Sequence, residues 1–194
     1  MNILLKVSAI GGLAGLISEM WYFNDYWRPP TLLGNSKISI EDFLFGFSFT
    51  GIAALVYKVI VRKRPIQAKS RKKLFLLFFI IGFLSLLLFS NLLKINSIFV
   101  SSIAFLAFSM LMVLLRKDLI IQAVMSGLLS LAIIIPVYIF LFDVLSPHYW
   151  SNYWLLSNTI FGMKILGNIP LTELLWYFSW GCFAGIAFDF YHGR

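Results

Sequence analysis

Six long apolar runs follow one another along this chain, separated by three short polar breaks and by two longer, aromatic-rich ones at 18–42 and 143–170: "ILLKVSAIGGLAGLI", "FLFGFSFTGIAALVYKVIV", "LFLLFFIIGFLSLLLF", "IFVSSIAFLAFSMLMVLL", "LIIQAVMSGLLSLAIIIPVYIFLF" and "LTELLWYFSWGCFAGIAFDFY". With their flanks, each is long enough as a helix to cross the roughly 30 Å of hydrocarbon in a bilayer. The short alternating segments of a membrane barrel are absent. The pattern predicts helices over roughly 3–23, 40–61, 74–93, 98–116, 119–142 and 170–190, with no soluble domain between them. The expected fold is all-α, a polytopic membrane helical bundle of about six transmembrane helices. Pro136 falls inside the fifth run, where it should bend the helix without ending it.

Composition agrees with a membrane protein. Of 194 residues, 60% are hydrophobic and 12% charged, with a mean hydropathy of +0.89, too little polar residue to cover a water-soluble core. The first run resembles a secretory signal in having one lysine, Lys6, ahead of its small-residue-rich apolar part. It is long enough to span, however, and ends in bulky residues and Glu19 instead of a small-residue cleavage site.

The basic run "RKRPIQAKSRKK" at 62–73 joins the second and third helices, and "RKD" at 116–118 joins the fourth and fifth. Both should face the cytoplasm, which places both termini there and predicts an integral, inner-membrane protein. The linker lacks the interleaved aromatic residues of a nucleic-acid site, so no nucleic-acid partner is expected, and anionic lipid headgroups suit it better. This orientation gathers Glu19, Asp25, Glu41, Asp42, Asp143 and Glu173 near the outer face, while Asp118 and Asp189 lie near the inner one.

Two stretches of that outer side are alike. Aligned without gaps, Ile38-Ser39-Ile40-Glu41-Asp42-Phe43-Leu44 lies over Ile169-Pro170-Leu171-Thr172-Glu173-Leu174-Leu175, and Asp42 overlays Glu173. Upstream, Tyr26-Trp27 matches Tyr153-Trp154. The chain therefore reads as a first helical hairpin at 1–61, the basic linker at 62–73, a central helix pair at 74–118 and a second hairpin at 119–194, the hairpins forming a parallel repeat. Gly11-x-x-x-Gly15 and Gly181-x-x-x-Gly185 offer surfaces on which helices can approach closely.

Each acid has a structural account as well as a chemical one. Ser39 with Asp42 reads as a capping box, and acids in a first turn complement the helix dipole. Pro170 suits a helix start for Glu173. Capping does not explain why two helix starts share their surroundings, nor why Glu19 and Asp143 sit at the same depth on the partner helices. Carboxyls partly withdrawn from water can act as general acids near neutral pH, and ionisable groups at membrane depth are functional candidates. The rings of Trp21, Tyr26, Trp27, Trp154 and Trp176 suit an interfacial belt, and their faces also attract cations.

"EMWYFNDYW…G…ISIEDFLFGF" and "NYW…G…IPLTELLWYF" resemble the two halves of the lycopene cyclase domain family, membrane-embedded carotenoid cyclases marked by Pro-x-Glu-(Glu/Asp) at a helix start. The resemblance covers both hairpins, about half the chain. The motif falls on Ser39, Glu41 and Asp42 in the first copy and on Pro170, Thr172 and Glu173 in the second, so Ser39 replaces the proline and Thr172 an acid. Family membership implies redox-neutral, acid-initiated cyclisation of lycopene or a related isoprenoid polyene in carotenoid biosynthesis. Glu41, Asp42 and Glu173 become the catalytic candidates, and Glu19, Trp21, Tyr26, Trp27, Trp154 and Trp176 the substrate-binding ones.

A non-catalytic carotenoid or lipid binder, or a small transporter, is the alternative. The helix middles are nearly all apolar, which disfavours a transporter. No Gly-rich dinucleotide turn follows a strand, so no cofactor is expected. Cys182 stands alone in an apolar run, and His148 and His192 lack ligand spacing, so no metal is expected. Membrane lipid, a hydrophobic carotenoid or isoprenoid and a second copy of the chain are the candidate partners.

Overall fold

The computed structural model describes residues 3–32, 34, 37–61 and 67–194. The first part of the basic linker, 62–66, lies outside the described residues. The long helices are α1 (Ile3–Asp25), α2 (Ile40–Val61), α3 (Lys72–Ser85), α4 (Ser97–Leu115), α5 (Ile120–Ile139) and α7 (Leu171–His192). A short helix, α6 (Tyr149–Tyr153), and a two-residue hairpin, β1 (Lys164–Ile165) with β2 (Ile169–Pro170), lie between α5 and α7. Wider π turns extend α3 through Leu86–Leu92 and α5 through Phe140–Leu145. Pro136 is accommodated as its place in an apolar run predicts: the helix runs on past it, and the π turn follows.

The chain is an all-α integral membrane protein. Among the described residues, five helices are long and apolar enough to cross a membrane by length and composition, α1 to α5 with their extensions. The six-span expectation differs at α7. This helix has 22 residues, but Thr172, Glu173, Ser179 and Asp189 are buried along it. It packs on α2, α3, α4 and α5. A helix surrounded by other helices has no need of the apolar exterior that lipid demands of the rest.

Glycine decides how the helices pair. A Cβ on Gly15 would come within 2.6 Å of the Asp42 carbonyl, and one on Gly11 within 2.7 Å of the Gly46 carbonyl, so α1 and α2 lie backbone against backbone. Gly181 and Gly185 bring α7 equally close to Ser126, Gly127 and Ser130 of α5. The expected small-residue faces are thus used, each within a hairpin.

One end of the bundle is basic. There Lys58 pairs with Asp189 at 2.7 Å, and Gln122 donates to the other Asp189 oxygen at 2.6 Å. At the opposite end, Asp25 closes α1 and accepts from the Ser97 backbone N–H at 2.8 Å and from its hydroxyl at 2.5 Å, capping α4 from a different helix. Asn96 completes the cap by accepting from the Ile98 N–H. That second end also carries Glu19, Glu41, Asp42, Asp143 and Glu173 and the aromatic loops, while Asp118 lies at the basic end beside Arg116.

Candidate active site

Two loops meet at the acidic end. Trp27, just past α1, and Trp154, just past α6, face each other in an antiparallel bridge. The Arg28 N–H donates to the Tyr153 carbonyl and the Leu155 N–H to the Tyr26 carbonyl, both at 2.9 Å. The two bonds are reciprocal and flank Trp27 and Trp154, the pair that aligns in sequence. The Trp27 indole also stacks on Trp150 with centroids 6.4 Å apart.

This junction holds two carboxyl clusters. In the first, Glu19 is 4% exposed on α1 and accepts from the Trp27 indole N–H at 3.3 Å. Asp42 lies opposite on α2, brought there by the glycine contact one turn below. The predicted capping box forms: Ser39 donates to Asp42 Oδ2 through its N–H and its hydroxyl, both at 2.8 Å, and accepts from the Asp42 N–H at 3.4 Å. Glu41 accepts from the Leu32 N–H at 2.6 Å.

A cavity of about 470 Å³ begins at these three acids and runs into the bundle between α1, α2, α3, α4 and α7. Its walls are aromatic, with Trp21, Tyr22, Phe49, Phe105, Trp176 and Trp180 among them, and Phe78 and Phe108 line it too. From Glu19 to Gly11, which also lines it, is eight residues of helix, or about 12 Å. Trp176 is fixed by donating to the Tyr22 hydroxyl at 2.9 Å, while Tyr22 donates to Ser101 at 2.8 Å. Trp176 also stacks on Trp180 at 6.0 Å.

The second cluster is closed. Glu173 is 7% exposed; one oxygen accepts from the Tyr26 hydroxyl at 2.6 Å and the other from the Tyr138 hydroxyl at 2.7 Å. Each phenol has one proton, so Tyr177, 2.6 Å from Tyr138, must donate to it, and Thr172, 3.0 Å from Tyr26, must donate to that oxygen. Glu173, Tyr26 and Trp154 do not line the cavity. Tyr149 stands between the clusters on α6 and lines the cavity. Burial pushes its phenol above the ordinary range, and the charges of Glu173 and Glu19 push it further.

Of the nine candidates read from the sequence, six therefore share the cavity: Glu19, Glu41, Asp42, Trp21, Trp27 and Trp176. The other three form or adjoin the closed cluster. Tyr138 and Tyr177 were missed as partners of the acid. Tyr177 lies four residues after Glu173, on the same helix face, which was an available signal. Tyr138 stands alone in an apolar run and gave none. Asp143, matched to Glu19 by depth, accepts instead from the Asn168 N–H at 2.9 Å. Among the described residues no group of three or more His, Cys, Asp or Glu side chains is placed to hold a metal ion.

Fold and site together define a polytopic helical membrane protein with a carboxyl-headed apolar cavity. Residues 96–191, about half of the chain, match the family model described as lycopene cyclase, and this region belongs to that family. The match starts at the cap of α4 and ends one residue before the last of α7, so the matched unit is three long helices, α4, α5 and α7. It takes in the fourth helix, which the sequence motifs had left unassigned. No curated protein and no solved structure matches the chain.

Proposed function

We propose that the protein closes a ring at the end of lycopene or a related acyclic isoprenoid polyene. The observation that carries this reading is the cavity itself, with carboxyls at one end and aromatic faces along its walls. The family match of residues 96–191 supports it.

Glu19, the most buried of the cavity acids, donates its proton to the terminal alkene. A C–H bond forms, the O–H bond breaks, and a tertiary carbocation results. The next alkene attacks that carbon to make the ring C–C bond, and the positive charge moves to a ring carbon. Asp42 or Glu41 then takes a proton from a neighbouring carbon, leaving a new alkene. Product and substrate have the same formula, so no oxidant or reductant is consumed.

The faces of Trp27, Tyr22 and Trp176 stabilise the cation where water is excluded. Glu173 acts from behind: by holding Tyr26 it fixes the loop that presents Trp27. On this reading the aligned hairpins form a parallel repeat, and the bridge between Trp27 and Trp154, made by the bonds Arg28 to Tyr153 and Leu155 to Tyr26, supports it.

Expression in a lycopene-accumulating host tests the proposal. Conversion to β- or γ-carotene is expected, and unchanged pigment despite verified membrane expression overturns it. Thr172 and Ser39 at motif positions favour a second reading, a non-catalytic carotenoid binder. A binder co-purifies with unmodified pigment and keeps it when its acids are changed to amides.

A further inference from the structure

We propose that the cavity is loaded sideways from the bilayer, through an opening between α1 and α3 framed by Ile17, Phe79 and Phe83. One end of a linear isoprenoid enters there while the remainder stays in lipid. The proposal rests on the cyclase reading of the same cavity and adds the route by which its substrate arrives.

Ile17, Phe79 and Phe83 line the cavity and yet remain 47%, 52% and 42% exposed. Packing explains why the wall is open there. α1 and α2 touch along their backbones through Gly11, Gly15 and Gly46, whereas α1 and α3 barely meet. Trp21 touches Phe83 edge-on, with centroids 5.8 Å apart. α3 itself is held along one face. Phe78 is its buried side chain, seated on Phe108 and Phe190, and Phe75 stacks on Phe183, while Leu76, Leu77, Ile80, Ile81 and Leu84 are exposed.

The water-facing end is built differently. Thr31, Glu41 and Asp42 line it, and the bond from Leu32 to Glu41 ties the loop across the acids. A polyene dissolved in the bilayer would have to pass through polar groups and water to enter from there, at a cost proportional to its apolar surface. Between α1 and α3 it meets apolar side chains throughout. Any chain too long for about 470 Å³ can leave its unreacted part in the membrane.

The full chain, reconstituted in phosphatidylcholine vesicles containing lycopene, provides the test. The double variant Ile17→Trp/Phe79→Trp adds bulk at two lipid-facing positions, and Ile103→Trp, exposed on α4 and away from the cavity, is the control. Pigment retained by the re-isolated protein measures loading, and pigment composition measures conversion. Loading of the double variant should be about tenfold slower, with the control unchanged.

A second variant, Trp21→Cys/Phe83→Cys with Cys182→Ser, joins α1 to α3 through a cleavable thiol reagent. Loading should stop on cross-linking and resume on cleavage. Normal loading by the bulky double variant, or by the cross-linked protein, overturns the sideways route. If the wild type loads lycopene through this opening but returns it unchanged, the cyclase reading fails and the route stands. If conversion continues at full rate with the opening blocked, the route fails and the cyclase reading stands.

Discussion

The two carboxyl clusters share one end of the bundle and one backbone junction, and they are finished in opposite ways. Glu19, Asp42 and Glu41 stand around the mouth of an apolar cavity. Glu173 is sealed by Tyr26 and Tyr138, with Tyr177 and Thr172 completing the donor chain. The divergence is visible at a single aligned position. Where the first hairpin has the acid Glu41, the second has Thr172, whose hydroxyl serves Tyr26 instead of facing a ligand. A carboxyl at the start of a helix is thus a starting material, and the phenols packed around it decide whether it lines a cavity or is sealed into the fold.

The strongest way to break this comparison is to change one acid in each cluster. Glu19→Gln keeps shape and still offers an oxygen to the Trp27 indole, but it cannot supply the proton. Conversion in the lycopene-accumulating host should fall by about 10²–10⁴-fold, the usual contribution of a positioned acid, while thermal unfolding in detergent stays as in the wild type. Glu173→Gln should do the reverse, lowering the melting temperature first. A Glu173→Gln protein that melts normally and yet makes no cyclic product would invert the assignment, making the closed cluster the reactive one.

Much of this architecture could be read from residue order alone, for physical reasons that also mark where reading stops. The helices were legible because lipid demands long uninterrupted apolar runs, and α2 starts at Ile40 because Ser39 and Asp42 can only cap there. Close approach through Gly11 and Gly15 was legible, since a missing Cβ has few other uses in a membrane. The gathering of Glu19, Asp42 and Glu173 at one end was legible from topology. Their separation into open and closed clusters was not. That depends on Tyr138, Tyr26 and Tyr177 converging from three segments, with as many as 151 positions between Tyr26 and Tyr177 (177 − 26), and no local pattern records such a meeting. The gap between α1 and α3 was equally invisible, because apolar residues facing lipid and apolar residues facing a cavity are written in the same letters.

The closed cluster makes a smaller and more specific prediction. Tyr138→Phe leaves Glu173 with one phenol and Tyr177 without its acceptor, which should cost about 1–3 kcal/mol as buried groups lose their partners. Because Tyr138 and Glu173 act in one network, the double variant Tyr138→Phe/Glu173→Gln should differ from the sum of the singles by about 0.5–3 kcal/mol. Simple additivity in detergent unfolding would mean that the phenols pack beside the acid without holding it. Ser39→Ala ranks next: it removes the cap from α2 at a cost of about 0.5–2 kcal/mol, with cyclic product still formed.

Glu41→Gln should give the smallest effect, and it tests whether motif position or cavity geometry predicts chemistry. By motif, Glu41 is as strong a candidate as Asp42 or Glu173. By geometry, it stands at the mouth of the cavity, with Oε1 occupied by the Leu32 N–H at 2.6 Å. The amide oxygen of glutamine accepts that same bond, so the loop should stay tied and the unfolding curve unchanged. Conversion should then drop by no more than a few-fold, because Asp42 remains beside the reacting end to accept the final proton. A loss as deep as that of Glu19→Gln would move the decisive acid from the buried wall to the rim. The first cluster would then have to be read as a gate for protons arriving from water, leaving Glu19 as the group that orients Trp27.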